Sequence, residues 1–317
     1  LFLMVTTLAS PISSVAPVAL AGKEQVVKYS PEFYGICTLG GILSCGLTHT
    51  AVTPMDLVKC NMQVDKVKYP SILRGFSVIA KESGVTGLTR GWVPTLIGYS
   101  FQGAGKFGLY EFFKKKYTDM AFGGLENCSP IQKDIAFACA SASAEFFADI
   151  LLCPWEAVKV RVQTKAGFAK GLSDGMPKML AEGGVGGLYK GIVPLWGRQI
   201  PYTVIKFVAF ERVVVMLYGF LPGKRSDYNK TQQLGVSFAA GYIAGVFCAV
   251  VSHPADNLVS KLNQSQGASV GAIINEMGWV ALFTRGLPLR IAMIGTLTGL
   301  QWGIYDAVKV AFGMPPT

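Results

Sequence analysis

The sequence Pro-Met-Asp-Leu-Val-Lys at residues 54–59 is the first of three related copies along the chain. It recurs as Pro-Trp-Glu-Ala-Val-Lys at residues 154–159 and as Pro-Ala-Asp-Asn-Leu-Val at residues 254–259. Self-similarity at a fixed period is the sequence signature of a repeat architecture. The chain is therefore predicted to contain three copies of one structural unit.

Each copy continues with two further motifs in the same order. A basic residue and a glycine follow at 90–91, 190–191 and 285–286. An aromatic residue and an acid come next, at 110–111, 210–211 and 305–306. The three motifs occur in the same order in all three copies. We therefore predict repeats at 31–122, 131–220 and 233–313, after an N-terminal tail at 1–30.

The composition excludes a soluble enzyme of this size. Charged residues make up 15% and apolar residues 51% of the 317 residues, whereas an average globular chain is about 25% charged. Residues 34–55 and 234–255 contain no Asp, Glu, Lys or Arg, and each is long enough to cross a bilayer. Extended to the three repeats, this pattern predicts an all-α membrane protein with six transmembrane helices.

The net charge of +10 has two interpretations. Basic loops can face anionic lipid, or the positive charge can serve an anionic substrate, and composition does not separate the two. The seven cysteines contain no Cys-x-x-Cys spacing, which favours reduced packing residues over disulfides or a metal site. No nucleotide-binding loop or catalytic triad is visible, so the sequence predicts no enzyme, no cofactor, no metal and no nucleic-acid partner.

These motifs resemble the mitochondrial carrier family, whose signature is Pro-x-[Asp/Glu]-x-x-[Lys/Arg] at the end of each odd-numbered helix. The strings at 46–50, 141–149, 198–202 and 252–256 are similar to those of its phosphate-transporting members. The resemblance implies three pseudo-symmetric two-helix repeats around a central cavity, each with a short matrix-side helix. It also implies a multi-pass protein of the mitochondrial inner membrane, with both termini facing the intermembrane space.

The resemblance further implies two ion-pair networks that close the cavity alternately. The matrix gate would use Asp56, Lys59, Glu156, Lys159 and Asp256. The outer gate would use Glu111, Lys114, Glu211, Asp306 and Lys309. Val259 and Val214 stand where the family pattern has a cation, which leaves three acids and two cations in each network. A proline inside a helix removes a backbone hydrogen bond and kinks it, so helix kinks are predicted at Pro54, Pro154 and Pro254.

Polar residues predict a substrate site on the second helix of each repeat. Residues counted in steps of four after each basic–glycine pair lie on one face of the helix. Charges inside a span are costly and favour a functional interpretation, although the two lysines could instead extend toward the interface. The candidate substrate-binding residues are Gln102, Lys106, Arg198, Gln199, Tyr202, Lys206 and Gln301.

Three residues on the first helices of repeats 1 and 2 are candidates for proton coupling. His49 lies five residues before Pro54, and Asp149 occupies the equivalent position in repeat 2 with Glu145 one turn earlier. Histidine changes charge near neutral pH, and burial favours a protonated carboxyl group. The alternative is that His49 is a neutral packing residue.

The sequence therefore predicts transport of inorganic phosphate with a proton, by symport or by phosphate/hydroxide exchange, which would supply matrix phosphate for ATP synthesis. Two alternatives stay open. One is a carrier of another small anion, such as a dicarboxylate. The other is a non-transporting scaffold on other inner-membrane complexes, which the missing gate cations would fit. Anionic lipids such as cardiolipin, and association with other inner-membrane complexes, complete the expected partners.

Overall fold

The structure is a computed structural model that describes residues 26–65, 67–165, 167–223, 225–264, 270–284 and 286–317. Most of the predicted tail, 1–25, lies outside the described residues. Within the described part there are eleven α-helices and no strand. They are α1 Pro31–Ala51, α2 Thr53–Val64, α3 Ile72–Gly87, α4 Trp92–Phe122, α5 Pro130–Thr164, α6 Leu172–Leu188, α7 Ile192–Phe220, α8 Lys230–Gln264, α9 Val270–Met277, α10 Trp279–Thr284 and α11 Leu287–Ala311.

Local sequence sets where the long helices start. The Ser30 side chain accepts a hydrogen bond from the backbone of Phe33 (3.1 Å), and a proline occupies the next position of α1. Ser129 and Gln132 form a capping box at the start of α5. These side chains satisfy backbone N–H groups that have no partner inside the helix.

The three signature prolines behave differently. The chain bends by 58° between α1 and α2, where Val52 separates them and Pro54 follows. Pro154 and Pro254 lie inside α5 and α8, which run through them as continuous helices. The bend at Pro54 fits the loss of one helical hydrogen bond together with the steric clash of the ring.

The six long segments form a closed ring in chain order. The segment α1–α2 packs on α4, α4 on α5, α5 on α7, α7 on α8, α8 on α11, and α11 returns to α1. Closure by the last contact makes the bundle a six-helix barrel. The predicted fold class, with three two-helix repeats around one axis, is confirmed.

Two glycines allow the closest helix approach in the first repeat. A Cβ atom built on Gly41 of α1 would lie 2.1 Å from the carbonyl oxygen of Gly103 in α4. A Cβ on Gly103 would lie 2.0 Å from the carbonyl oxygen of Gly41. Small residues at such crossings let helix backbones meet and gain dispersion contacts in the membrane.

Short helices connect the long ones on the matrix side of each repeat. They are α3, α6 and the pair α9 and α10. Gly84 and Gly184 adopt positive φ inside α3 and α6, and Gly278 does so between α9 and α10. A glycine at the same place in each repeat therefore turns the chain, because it adopts this conformation without steric strain.

Length and hydropathy alone identify only some of the spans. Among the described residues, Pro130–Thr164 and Lys230–Pro254 qualify, and the bent pair α1–α2 qualifies if it is counted as one span. The second helices of the repeats bury polar side chains, for example Lys106, Glu111 and Lys114 in α4. These charges face the interior of the barrel, so the helix averages less apolar than its position in a membrane requires.

Candidate functional site: a buried charged centre between two ion-pair layers

A buried polar group joins repeats 1 and 2 at the centre of the barrel. Gln102 of α4 donates to Glu145 (2.8 Å) and to Asp149 (3.2 Å), both on α5. Lys106, one turn after Gln102, lies 2.9 Å from a carboxylate oxygen of Glu145. Both carboxylate side chains are fully buried. Two acids therefore share one amide and one ammonium group.

A second lysine lies between repeats 2 and 3. Lys206 of α7 donates to the side-chain oxygen of Gln301 on α11, and both side chains are buried. Lys106 and Lys206 lie at equivalent positions after their basic–glycine pairs. Their ammonium groups lie within electrostatic range of each other. Two ammonium groups in a low-dielectric interior repel each other unless an anion lies between them.

His49 contacts an aromatic residue that the sequence did not indicate. Its ring stacks on Tyr99 of α4, with ring centroids 3.7 Å apart and planes 11° from parallel. The ammonium group of Lys159 lies 5.0 Å from the centroid of the same Tyr99 ring. Tyr99 thus connects the predicted proton-coupling histidine to the predicted matrix gate.

The remaining predicted substrate residues lie on α7, between its first residue and Lys206. Arg198 is exposed, and Gln199 and Tyr202 are half-buried. Arg198 lies within electrostatic range of Lys59 and of Arg290, at the matrix end of the barrel. The structure therefore brings together Gln102, Lys106, Glu145 and Asp149, and separately Lys206 and Gln301.

Among the described side chains, the matrix network joins repeats 1 and 2. Lys159 of repeat 2 lies 3.0 Å from Asp56 of repeat 1 and 3.5 Å from Glu156 of its own helix. Lys59 is exposed. The side chain of Asp256, the predicted matrix-gate acid of repeat 3, lies outside the described residues.

The outer network is also formed across one seam. Lys114 of repeat 1 lies 2.8 Å from Glu111 and 3.6 Å from Glu211 of repeat 2. Lys309 lies 3.7 Å from Asp306, within repeat 3. Asp306 is fully buried.

An aromatic layer separates the charged centre from the outer network. The rings of Phe107, Phe207 and Trp302 lie 5.2–5.4 Å apart in pairs, and all three side chains are buried. Tyr110, Phe210 and Tyr305 pack against them one turn further along. In each set, the three residues follow the glycine of their basic–glycine pair by the same number of residues. The count that located the lysines could therefore have located this aromatic layer.

Among the described residues, no group of three or more His, Cys, Asp or Glu could hold a metal ion. The seven cysteines are all free, and five of them are buried. Nothing in the arrangement supplies a nucleophile with its general base. What this centre can do is exchange one buried ion partner for another.

Comparison with known proteins agrees with the motifs. Residues 30–121 and 134–220 match the family described as "Mitochondrial carrier protein".

The chain belongs to the mitochondrial carrier family. The carrier is 63% identical over 290 residues (91% of this chain and 76% of the relative) to "Mitochondrial phosphate carrier protein 3, mitochondrial" of Arabidopsis thaliana. It is 56% identical over 287 residues (90% and 78%) to "Solute carrier family 25 member 3" of Homo sapiens. It is 52% identical over 298 residues (94% and 86%) to "Phosphate carrier protein, mitochondrial" of Caenorhabditis elegans.

Proposed function

We propose that this carrier moves inorganic phosphate across the mitochondrial inner membrane together with a proton, with no covalent step. Its family and its relatives place it in that membrane as a transporter and not as an enzyme. The observation that carries the proposal is the buried centre, where Lys106 pairs with Glu145 beside Asp149 and Lys206 lies buried against Gln301. Such intramembrane charges mark an ion pathway by default.

Phosphate binding is an exchange of partners at Lys106 and Lys206. In this structure Lys106 pairs with Glu145, and Lys206 donates to Gln301. An entering oxyanion offers Lys206 a stronger acceptor than the amide of Gln301, and for Lys106 it replaces one anionic acceptor, Glu145, by another. The anion also relieves the repulsion between the two lysines.

Proton uptake follows from the same contacts. When phosphate takes Lys106, Glu145 loses its ammonium partner and stays buried beside Asp149. Two adjacent buried carboxylates cannot both remain charged without a cation, so a proton binds one of them. His49 occupies the position on α1 equivalent to that of Asp149 on α5, stacked on Tyr99, and is the second candidate to hold the coupled proton.

The proton and dihydrogen phosphate together carry no net charge. The driving force is then the pH difference, about 1.36 kcal/mol per unit, and the membrane potential contributes nothing. Symport of H⁺ and antiport of hydroxide give the same balance.

The test is uptake of labelled phosphate into proteoliposomes that contain the purified carrier. Uptake should rise when the interior is alkaline, and it should not change when the potential is clamped. Uptake of a dicarboxylate but not of phosphate would identify another anion as the substrate. Phosphate binding without uptake of any anion would support the non-transporting scaffold and overturn the proposal.

We also propose an anionic lipid site where repeats 1 and 2 meet on the matrix side. A cavity of about 300 Å³ is lined by Arg90, Gly91, Lys170 and Gly171. Gly91 and Gly171 are the N-caps of α4 and α6, and neither supplies a side-chain cap. Two uncapped helix N-termini with two cations are suited to a phosphate headgroup.

The test for this site measures how much cardiolipin raises the melting temperature of the detergent-solubilised carrier. Lys170→Gln should reduce that increase by about half, since it removes one of the two cations. Lys133→Gln, at the opposite end of the barrel, is the control. If cardiolipin raises the melting temperature of Lys170→Gln as much as that of wild type, the proposal of this lipid site is wrong.

A further inference from the structure

The outer network lacks threefold symmetry, because one of the three equivalent cation positions holds an apolar residue. At the first seam, Lys114 of repeat 1 reaches Glu211 of repeat 2. By the same geometry, a cation of repeat 2 should reach Asp306 of repeat 3. That position is Val214, a buried apolar residue. A fully buried carboxylate would then lack its inter-repeat partner, which is costly in a membrane interior.

The segment after α11 supplies Asp306 with hydrogen-bond donors instead. After α11, Gly313 turns the backbone with φ of +80°, and Met314 packs into the aromatic core. The backbone N–H and the hydroxyl of Thr317 both donate to one oxygen of Asp306, at 2.8 and 2.7 Å. Ser237 of α8 donates to the other oxygen. Asp306 is therefore satisfied by neutral donors and not by a cation of repeat 2.

The segment 313–317 is itself held by the connection between repeats 2 and 3. Arg225 donates to the carbonyl oxygens of Pro316 (2.6 Å) and Thr317 (2.7 Å). Lys309, the outer-gate cation of repeat 3, donates to the Thr317 hydroxyl at 3.0 Å. The guanidinium of Arg225 also lies 5.3 Å from the ring centroid of Tyr218 in repeat 2. A continuous path thus runs from Tyr218 of repeat 2 through Arg225 and Thr317 to Asp306 and Lys309 of repeat 3.

We propose that segment 313–317, anchored by Arg225, is a strap that makes the outer-gate contact which Val214 cannot make. When the outer side opens, repeats 2 and 3 separate, so the strap must release either Arg225 or Asp306. The strap stabilises the outward-closed state and leaves the central site unchanged. This inference rests on the proposed transport function, with the two networks closing the cavity alternately, because a strap matters only if the outer network opens.

Cys37 provides a native probe of that opening. It lies on α1 beneath the outer network, fully buried beside Tyr305. A charged maleimide can reach its thiol only when the outer end opens. Its rate of alkylation, read by peptide mass spectrometry on the carrier in lipid nanodiscs, measures the open fraction without any transport assay.

The test compares four variants with the wild-type carrier. Arg225→Gln removes two charge-assisted hydrogen bonds and should raise the alkylation rate of Cys37 roughly tenfold. Thr317→Val removes one hydroxyl and should raise it about threefold, while Thr317→Ser restores the wild-type rate. Arg212→Gln is the matched control, because Arg212 binds Asp134 and Pro130 within repeat 2 and crosses no seam.

Unchanged alkylation in both Arg225→Gln and Thr317→Val would overturn the strap. An equal rise in Arg212→Gln would also overturn it, since that would indicate general loosening of the outer end. Failure of phosphate transport in the wild-type carrier would refute the proposed function but would not change these rates. The two failures are therefore distinguishable.

Discussion

Lys106 is the residue on which the substrate proposal depends most directly. Its ammonium group is buried and touches Glu145, so it can bind an anion only by giving up that carboxylate. We expect Lys106→Gln to raise the KM for phosphate by roughly 10- to 100-fold, since hydrogen bonds to charged groups contribute about 1.5–3 kcal/mol. Phosphate/phosphate exchange in proteoliposomes measures this without the pH gradient.

The control for that substitution is Lys115→Gln on the same helix. Lys115 forms an exposed pair with Asp119 and lies outside the centre. Its KM should stay within about twofold of wild type, because exposed pairs contribute little. An unchanged KM in Lys106→Gln would remove Lys106 from the site.

Tyr99 is predicted to transmit the protonation state of His49. Protonated His49 would be a second cation near Lys159 and would compete with it for Asp56, which lies within electrostatic range of both. Tyr99→Leu removes the shared ring and should lower pH-driven uptake roughly tenfold, given the magnitudes of aromatic and cation–π contacts.

Tyr99→Phe keeps the ring, and its uptake should remain within about twofold of wild type. Phosphate/phosphate exchange should persist in both variants, because that exchange needs no net proton transfer. If Tyr99→Leu keeps the wild-type pH dependence, Tyr99 has no coupling role.

At the scale of helices, the crossing of α1 and α4 is the tightest contact that a small substitution can test. An alanine at Gly41 would place its Cβ 2.1 Å from the backbone of Gly103. Neither backbone can yield locally, so the helices must separate. We expect Gly41→Ala to destabilise the carrier by about 1–3 kcal/mol, as overpacked cores do, and to lower its melting temperature in detergent.

Gly35→Ala on the same helix is the matched control. A Cβ at Gly35 would meet nothing within 4 Å, and alanine is the better helix former. Its melting temperature should equal or slightly exceed that of wild type. A Gly41→Ala carrier as stable as Gly35→Ala would show that the crossing relaxes without loss.

The sequence predicted helices and their repeats better than it predicted contacts. Threefold motifs fixed the number of long helices and the positions of Lys106 and Lys206 on them. Hydropathy missed α4, because a helix lining a polar cavity is not apolar on average. The pairing of Gln102 with Glu145 and Asp149 depends on how α4 and α5 rotate against each other, and no motif encodes that rotation. The role of Thr317 was invisible, because it lies outside the repeats.

At the scale of the whole barrel, the two ends of this structure are not equally closed. The outer end has the aromatic layer, the buried Lys114 and Lys309, and the contacts of Asp306. The matrix end has one seam held by Asp56 and Lys159, while Lys59 and Arg198 are exposed. Among the described side chains, the matrix network is therefore less enclosed than the outer one, and it is the one expected to open first.

If the two networks close alternately, weakening them must shift the barrel in opposite directions. Glu211→Gln breaks the outer seam with Lys114 and should raise the alkylation rate of Cys37. Asp56→Asn breaks the matrix seam with Lys159, favours the matrix-open state and should lower that rate. A change of roughly threefold to tenfold each way corresponds to the loss of one partly buried ion pair.

The double variant, Glu211→Gln with Asp56→Asn, tests whether the two networks are coupled. Two opposing shifts cancel only if both networks bias one equilibrium. Its alkylation rate should return close to that of wild type. Glu82→Gln, which breaks an exposed pair with Lys68 on the matrix surface, should leave the rate unchanged. Rates that rise in both single variants would mean that each substitution merely loosens its own end. The barrel would then lack the reciprocal coupling that alternating access requires, since an effect on one side must appear on the other with the opposite sign.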